Sequence, residues 1–245
     1  MKKPLIIAHR GASAMAPENT LAAFRLAKEL GADGIELDVM LSVDERLVVI
    51  HDQNVKRTTN GQGKVDQMPC DELKNLDAGS KFGEQFSGEH LPLLDQVFEE
   101  LGGKFLINIE LKNYATPRDQ LTQKVIELIL KMGLKDSVIL SSFNARNLLK
   151  AERLEPAIPR GLLTLPGFPG IPYRGWLGKR YHYTALHPYF KDVDSKMINR
   201  LHSHEKNVNV WTVDKPDDLL KMRDLGVDMV ICNDPTHARQ VIEAA

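Results

Sequence analysis

The 245-residue chain has little of several features that mark special classes of protein. It contains two cysteines, Cys70 and Cys232, which are too few and too far apart for a disulfide framework or a cysteine metal motif. No apolar run approaches the roughly 20 residues of a membrane span. The apolar run near the N-terminus is also too short for a signal peptide. The sequence therefore predicts a reduced, cytoplasmic protein without a stable membrane anchor.

An excess of charge of either sign is also absent. The chain has 32 basic and 33 acidic residues and a formal net charge of −1 at pH 7. Such a chain has no bulk field that would attract nucleic acid or an anionic membrane surface. Its 42% hydrophobic and 27% charged residues are ordinary for a globular protein with a sizeable core. We therefore expect no nucleic acid as a partner. The other partner expectations, which the charge does not decide, are a small-molecule ligand and a monomer or small homo-oligomer.

The sequence does contain a regular alternation of short apolar runs with amphipathic helical patterns. One main strand per repeat gives about eight strands, which predicts a parallel TIM (β/α)₈ barrel formed by a single domain, residues 1–245. An open doubly wound sheet would have a similar local pattern, but no glycine-rich nucleotide motif follows the first strand. Either Asn19 or Thr20 can cap the first helix. The predicted strands are 5–8, 34–41 with its continuation 47–51, 104–111, 137–143, 158–165, 184–187, 208–213 and 229–232; the predicted helices are 17–31, 93–101, 117–132, 144–154, 194–204 and 215–225.

Two segments interrupt this alternation. Residues 52–92 are rich in glycine, proline and threonine and show little periodicity, which predicts an inserted segment after the second strand. Long structured loops often carry function. Residues 166–181 combine glycine and proline with tyrosine and tryptophan. That second segment could line one side of a pocket or cover the far end of the barrel.

Two histidines stand where predicted strands end. His9, followed by Arg10 and Gly11, ends the run 5–8, and His51 ends the run 47–50. In parallel α/β proteins, the C-terminal ends of strands face the ligand crevice. Two such histidines fit a general acid–base pair, although they could be ligands if the site held zinc.

Three carboxylates occupy inward-facing positions on two predicted strands. Glu36 and Asp38 share one face of the strand 34–41, and Glu110 lies on the next main strand. Adjacent buried carboxylates repel each other unless a proton or a cation relieves them. Each acid could instead be solvated, and Glu110 could simply pair with Lys112. Together they favour a site for one divalent cation, Mg²⁺ or Ca²⁺, because these ions prefer oxygen ligands.

Three further side chains complete the predicted site. Arg10 and Lys112 add positive charge near the acids, and such cations suit a phosphoryl substrate. Trp211, in the run 208–213, either forms an apolar wall for a small ligand or packs in the core. Asn233-Asp234-Pro235 is explained by default as the cap of a helix.

The ordered set of motifs resembles the glycerophosphodiester phosphodiesterases of the compact soluble bacterial type. Any one of these motifs is weak evidence, but their order along the whole chain is highly specific. The matching residues are His9-Arg10-Gly11, Pro17-Glu18-Asn19-Thr20, Glu36-Leu37-Asp38-Val39, His51-Asp52, Glu110-Leu111-Lys112, Ser141-Ser142-Phe143, Trp211-Thr212-Val213 and Asn233-Asp234-Pro235.

This resemblance implies an activity as well as a fold. It implies a TIM barrel with an insertion after the second strand and hydrolysis of glycerophosphodiesters, such as glycerophosphocholine or glycerophosphoethanolamine, to sn-glycerol 3-phosphate and an alcohol. It further implies that His9 and His51 act as acid and base and that Arg10 and Lys112 hold the phosphate. In this interpretation the three carboxylates bind one divalent cation.

Two other functions are compatible with the same residues. A lysophospholipase D or phospholipase C-like enzyme would use a related barrel but would need an apolar surface for an acyl chain, which residues 166–176 could supply. A non-catalytic glycerophosphodiester-binding protein would not need the complete set of acid, base and metal-binding residues.

Overall fold

Eight parallel strands close into a barrel with helices on the outside, which confirms the predicted TIM barrel. The computed structural model describes residues 3–103 and 105–244, so Lys104, predicted to begin the fourth strand, lies outside the described residues. The barrel closes because the first strand pairs with both the second and the last. The strands are β1 (Leu5–His9), β2 (Gly34–Leu41), β3 (Leu47–Val49), β4 (Leu106–Leu111), β5 (Val138–Ser142), β6 (Arg160–Thr164), β7 (Ala185–Pro188), β8 (Asn207–Val210) and β9 (Met229–Cys232).

Strand β3 is the one strand of this sheet that does not follow the barrel direction. It covers three residues, fewer than the predicted 47–51, and pairs antiparallel with the end of β2. Because β2 and β3 form a hairpin at the edge of the barrel, the chain that follows β3 returns toward the mouth. His51 is carried to the mouth by this hairpin rather than by a barrel strand.

The helices separate the barrel strands and shield their outer faces. Thr20, and not Asn19, caps the first helix by accepting a hydrogen bond from the backbone N–H of Ala23. The fourth helix begins at Leu121 rather than at the predicted 117, and its N-cap is Gln120. Asp119 Oδ1 accepts hydrogen bonds from the Leu121 N–H and from Asn113, which hold the preceding residues in a turn. The helices are α1 (Leu21–Glu29), α2 (Cys70–Lys74), α3 (Leu94–Leu101), α4 (Leu121–Met132), α5 (Ala145–Leu154), α6 (Ile171–Arg174), α7 (Ser195–His202), α8 (Pro216–Leu225) and α9 (Pro235–Glu243).

Alternation along the strands divides the protein into an outer apolar layer and a mixed interior. On β2, Ile35, Leu37 and Val39 pack among buried residues of the helices, while Glu36 and Asp38 point into the barrel. Each fully buried aliphatic side chain of this kind contributes about 1.5–3 kcal/mol. The interior has an apolar layer of its own, formed by Ile7, Ile139, Met229 and Ile231. Polar side chains of the barrel mouth therefore stand above an apolar floor.

The segment after β3 forms short helical turns instead of a regular unit. It contains α2 and three 3₁₀ turns, at Val55–Arg57, Val65–Gln67 and Glu84–Phe86. Val55, Val65 and Leu73 of this segment belong to a buried apolar cluster that also includes residues of β2 and β3. The segment is thus anchored beside the barrel mouth. Its assignment as an insertion within one domain spanning residues 1–245 stays a prediction.

The segment 166–181 leaves the C-terminal end of β6 and presents large apolar side chains to solvent. Phe168 is 87% exposed and Trp176 is 64% exposed, and Leu165 and Ile171 are about half exposed. Tyr173 and Tyr181 of the same segment stack on each other and pack against the core. Among the described residues, no helix is long and apolar enough to cross a membrane.

Candidate active site

A cavity of about 130 Å³ opens at the C-terminal ends of the barrel strands. The predicted site residues come from distant parts of the chain, and the barrel brings them to this one place. Asp38 lies directly beside them, within ion-pair distance of Arg10 and Lys112. The predicted residues that line the cavity are His9, Arg10, Glu36, His51, Glu110, Lys112 and Trp211.

Glu36, Asp38 and Glu110 form a compact cluster of carboxylates. One oxygen of each lies within 4.8 Å of the others, and all three residues are buried. The register of β2 with β4 explains this arrangement, because Asp38 lies opposite Glu110 across the pair. Side chains at alternate positions of neighbouring strands converge on the same face of a sheet. The structure therefore places the three predicted ligands together.

The pKa values of the three carboxylates shift in different directions. Burial, and then repulsion from Asp38 and Glu110, raises the pKa of Glu36 well above its ordinary value. Burial also raises the pKa of Glu110, and repulsion from Asp38 adds to the rise. The pKa of Asp38 is lowered, because Lys112 and Arg10 outweigh its burial. Two neighbouring acids thus resist ionisation, and a cation between them would relieve the repulsion.

Arg10 and Lys112 hold the same acids from two sides. Arg10 Nε lies 3.2 Å from Asp38 Oδ2, and its Nη1 donates to Glu18 at 2.9 Å. Lys112 Nζ lies 3.2 Å from Glu110 and 3.5 Å from the other oxygen of Asp38. That oxygen of Asp38, Oδ1, is buried and accepts no hydrogen bond. One carboxylate oxygen of the cluster is therefore available for a further ligand.

His9 is held by a neutral partner that fixes its tautomer. Its Nδ1 lies 2.8 Å from Asn233 Oδ1, and the amide of Asn233 donates to Asp214 at 2.7 Å. Because the amide nitrogen of Asn233 faces Asp214, its amide oxygen faces His9. Nδ1 therefore carries the proton, and Nε2 is left as an acceptor 4.0 Å from Glu36. Burial and then Arg10 lower the pKa of His9 to about 4.

His51 is held by an anion instead. Its Nδ1 donates to Oδ1 of the adjacent Asp52 at 2.5 Å, which leaves Nε2 for a substrate. Asp52 is itself held by Arg57, which also forms two hydrogen bonds with Glu18. Although burial opposes it, hydrogen bonding to Arg57 and His51 lowers the pKa of Asp52 to about 2. Asp52 is thus a stable anion beside the imidazole.

Aromatic side chains form the opposite wall of the cavity. The Trp211 ring meets Phe143 edge-on, with 5.6 Å between ring centroids, and lies 5.7 Å from Tyr189. Trp211 Nε1 donates to the backbone oxygen of His187 at 2.9 Å. Trp211 therefore packs on its neighbours and also lines the cavity, and its role as a wall for a ligand stays a prediction.

The backbone after β1 has an unusual conformation. Arg10 and Asn19 both have positive φ, near +56° and +59°, which costs a non-glycine residue roughly 1–2 kcal/mol. Gly11 also has positive φ, and a Cβ there would lie 2.6 Å from the backbone of Ala23. Gly11 is thus required by close packing on α1. The conformation of this turn aims Arg10 at Asp38.

Several residues of the site were not among the predicted ones. Asn19 donates to Asp38 Oδ2 at 2.9 Å, and Tyr114 donates its hydroxyl hydrogen to Glu110 at 2.7 Å. Asn233 contacts His9, whereas its neighbour Asp234 performs the predicted capping of α9. The signal for these roles was weak, because Asn19 and Asn233 appear in the sequence only as ordinary turn or cap residues.

The arrangement combines a clustered set of oxygen ligands, two fixed cations and two differently held imidazoles. Such a set can bind a phosphoryl group and a divalent cation, and it can move protons on two sides of that group. His9 and His51 do not belong to the carboxylate cluster. Oxygen ligands alone make up the cluster, which suits Mg²⁺ or Ca²⁺ better than zinc.

Comparison with known sequences connects this geometry to a protein family. The profile of the glycerophosphoryl diester phosphodiesterase family matches residues 9–237. The chain is 43% identical over 235 residues to a glycerophosphodiester phosphodiesterase of Caldanaerobacter subterraneus subsp. tengcongensis, and the match covers 95% of each chain. A glycerophosphodiester phosphodiesterase of Bacillus altitudinis is 36% identical, over 97% of this chain and 98% of its own.

Solved structures show the same fold at comparable sequence identity. A phosphodiesterase of Oleispira antarctica, solved in complex with the product sn-glycerol-3-phosphate, is 31% identical with a TM-score of 0.87 and covers 98% of this chain and 97% of its own. A glycerophosphodiester phosphodiesterase of Agrobacterium tumefaciens is 30% identical with a TM-score of 0.82 and covers 96% of this chain and 99% of its own.

Proposed function

Because the chain belongs to the glycerophosphoryl diester phosphodiesterase family and is an enzyme of that activity, we propose that it cleaves small glycerophosphodiesters with one divalent cation and two histidines. The products would be sn-glycerol 3-phosphate and the alcohol of the head group. The observation that carries this proposal is the position of His9 and His51 at one cavity with three clustered carboxylates. The ligand of the Oleispira antarctica structure supports the choice of product.

The proposed ligands of the cation are Glu36, Asp38 and Glu110. The donor set fits a hard divalent ion, since it consists of buried carboxylates and includes an oxygen of Asp38 that accepts no hydrogen bond. When bound, the cation would neutralise negative charge on the phosphoryl oxygens. Its positive charge would also relieve the repulsion that raises the pKa of Glu36.

The two histidines would have different first tasks. His9 presents an unprotonated Nε2, because Asn233 accepts the proton of its Nδ1, and it is therefore suited to act as the base. His51 donates its Nδ1 hydrogen to the Asp52 carboxylate, which would offset the positive charge of the imidazolium from which a general acid gives its proton. We therefore assign the base to His9 and the acid to His51.

Other side chains would bind and orient the diester. Arg10 and Lys112 line the cavity and would hold the phosphate by charge-assisted hydrogen bonds. Trp211 and Phe143 would cover the carbon atoms of the glycerol moiety, since their rings form the apolar wall. These contacts would place the phosphorus between the two imidazoles.

The reaction would proceed in two steps, and each histidine would end with the proton count with which it began. His9 Nε2 takes a proton from the neighbouring hydroxyl of the glycerol moiety, whose oxygen bonds to phosphorus. The bond from phosphorus to the head-group oxygen breaks, and His51 gives that oxygen its proton. In the second step, water loses a proton to His51 and opens the cyclic phosphate, while His9 returns its proton to the glycerol oxygen. Each proton transfer is expected to contribute ~10²–10⁴-fold to the rate.

A coupled assay for glycerol 3-phosphate, run before and after chelation, tests the proposal. We expect release of glycerol 3-phosphate from glycerophosphocholine, glycerophosphoethanolamine or glycerophosphoglycerol. Activity should fall to background with a chelator and return with added Mg²⁺ or Ca²⁺, because the cation would neutralise charge on the phosphoryl oxygens. Full activity after exhaustive chelation would contradict the cation site.

A second candidate function is the cleavage of lysophospholipids at the same site. The exposed Leu165, Phe168, Ile171 and Trp176 favour it, because they follow Leu163, which lines the active-site cavity. An apolar surface next to the cavity could accommodate an acyl chain. Turnover of lysophosphatidylcholine that exceeds that of glycerophosphocholine would support this candidate over the first.

A further inference from the structure

A second cavity adjoins the active-site cavity. It encloses about 470 Å³, and His51 and Lys112 line both cavities. Phe143 and Trp211 line only the first. The first cavity, at about 130 Å³, is smaller than the roughly 300–1,000 Å³ that is typical of ligand sites. It has room for only part of a diester, and the adjoining cavity offers room for the rest.

The two cavities meet at the proposed general acid. His51 Nδ1 is held by Asp52, so its Nε2 is the nitrogen that serves a substrate. A general acid must lie within hydrogen-bond distance of the leaving oxygen. If His51 protonates the leaving alcohol, that alcohol extends from the first cavity into the second. The glycerol moiety then stays on the side of Trp211.

The second cavity contains one carboxylate that lacks a partner. Asp52, Asp66 and Asp119 all line this cavity. Both oxygens of Asp52 are bound, by His51 and by Arg57, and both oxygens of Asp119 accept hydrogen bonds within their own loop. Asp66 Oδ1 is shielded from solvent and accepts no hydrogen bond. Asp66 is thus the acid of this cavity that still needs a donor.

In the part of the chain that the structure describes, no cation neutralises Asp66. Within residues 3–103 and 105–244, it forms no ion pair within 4.0 Å, and its Oδ2 accepts only a long hydrogen bond of 3.4 Å from Gln53. Lys112 also lines the cavity, but its ammonium group is directed to Glu110 and Asp38. The Asp66 carboxylate lines the cavity with this one weak donor, so a ligand with a charged N–H in the cavity would supply the ion pair that the described residues do not.

We propose that the second cavity is the subsite for the leaving alcohol and that Asp66 selects head groups with a protonated primary amine. This inference rests on the proposed function. The ethanolamine moiety of glycerophosphoethanolamine has both the positive charge and the N–H donors that the Asp66 carboxylate lacks. Choline has the charge but no N–H, and glycerol has hydroxyl donors but no charge. The expected order of preference is therefore ethanolamine, then choline, then glycerol.

The test compares kcat/KM for the three diesters in the wild type and in Asp66→Asn. Loss of a charge-assisted hydrogen bond is expected to lower kcat/KM for glycerophosphoethanolamine by roughly tenfold or more, mainly through KM. The loss for glycerophosphocholine should be smaller, and glycerophosphoglycerol should be unaffected. Asp71→Asn is the matched control, since Asp71 lies in the same segment, is exposed and does not line the cavity.

Each outcome has a definite meaning. A decrease confined to the two cationic head groups supports the subsite, and Asp66→Ser should reproduce it. An equal decrease for all three diesters, or no decrease, overturns the subsite while the proposed function stands. If the wild type released glycerol 3-phosphate from none of the diesters, the proposed function itself would fail. Thermal unfolding of each variant checks that the substitution leaves the fold intact.

Discussion

The surroundings of His9 and His51 differ although both histidines border one cavity. His9 ends a barrel strand, is 21% exposed at its side chain and contacts an uncharged amide that is 224 residues away in sequence. His51 follows the β2–β3 hairpin, is 30% exposed and contacts the carboxylate of the next residue. The partner of His9 comes from the closure of the barrel, whereas the partner of His51 comes from the local sequence.

This comparison teaches how one residue type can acquire two roles. A neutral amide determines which nitrogen of His9 holds the proton but does not favour a charged ring. A carboxylate also determines the tautomer of His51, and its negative charge would offset the positive charge of an imidazolium during proton transfer. Under the proposed function, this difference in partner would separate a base from an acid. Three predictions test this difference, in order of decreasing effect.

Removal of either imidazole should have the largest effect. For a natural diester, His9→Ala and His51→Ala should each lower kcat by ~10²–10⁴-fold, because each removes a proton-transfer group. The exposed His204 provides a matched control, and His204→Ala should retain the wild-type rate. Initial rates of glycerol 3-phosphate release measure all three variants.

A change of leaving group should then separate the two variants. A p-nitrophenyl ester of glycerol phosphate needs no proton on its leaving oxygen, so most of the defect of His51→Ala should disappear with this substrate. The defect of His9→Ala should remain. Equal recovery of both variants, or recovery of His9→Ala alone, would show that the assignment of acid and base is wrong.

Substitution of the histidine partners should have an intermediate effect. Asp52→Asn removes the anion beside His51 and is expected to lower kcat about tenfold for natural diesters, with little change in KM. The defect should again shrink with the p-nitrophenyl ester. Asn233→Leu, which frees the tautomer of His9, should lower kcat with both substrates. A defect of Asp52→Asn that is the same for both leaving groups would indicate a purely structural role.

The smallest effect on catalysis is expected from a third histidine, His187, which is fully buried. His187 lies inside the barrel, where its Nε2 contacts Asn209 at 2.9 Å, and burial lowers its pKa to about 3. The folded pKa is below the ordinary value of 6.5, so the unfolded state binds the proton first and stability falls as the pH falls through this window. Between pH 7 and pH 5 the loss from this group is about 2 kcal/mol.

Denaturant unfolding of the wild type and of His187→Gln at both pH values measures this contribution. The variant should lose about 2 kcal/mol less than the wild type between pH 7 and pH 5, since its side chain does not titrate. Its kcat at pH 7 should stay near the wild-type value, because His187 does not border the active-site cavity. An identical pH dependence for both proteins would contradict the buried, uncharged state of His187.

Much of the fold could be predicted from the sequence. The alternation of apolar runs with helical patterns predicted the strands of the barrel, and all strands and most helix ends lie close to the predicted positions. Differences occur where a side chain overrides the periodicity, as at Asp119, which delays α4. Strand β3 is short because it only pairs with the end of β2.

The candidate site was predictable in its residue types more than in its contacts. The carboxylates and both histidines could be found because they interrupt apolar strands at or near their C-terminal ends. Asn233 could not be found as the partner of His9, nor Asp214 as the group that orients Asn233, since short polar residues after a strand are usually explained by capping. Their roles depend on the meeting of β9 with β1, which no local pattern contains.

The sequence by itself determined which side chains are available and on which face of each strand they lie. That much follows from periodicity, because side chains alternate along a strand whatever the rest of the chain does. Only the tertiary structure decided the distances, the tautomer of His9 and the unpartnered oxygen of Asp66. These properties depend on which groups from remote segments come within hydrogen-bond range when the barrel closes. His9 and His51 are alike in the sequence, and closure of the barrel is what makes their surroundings different.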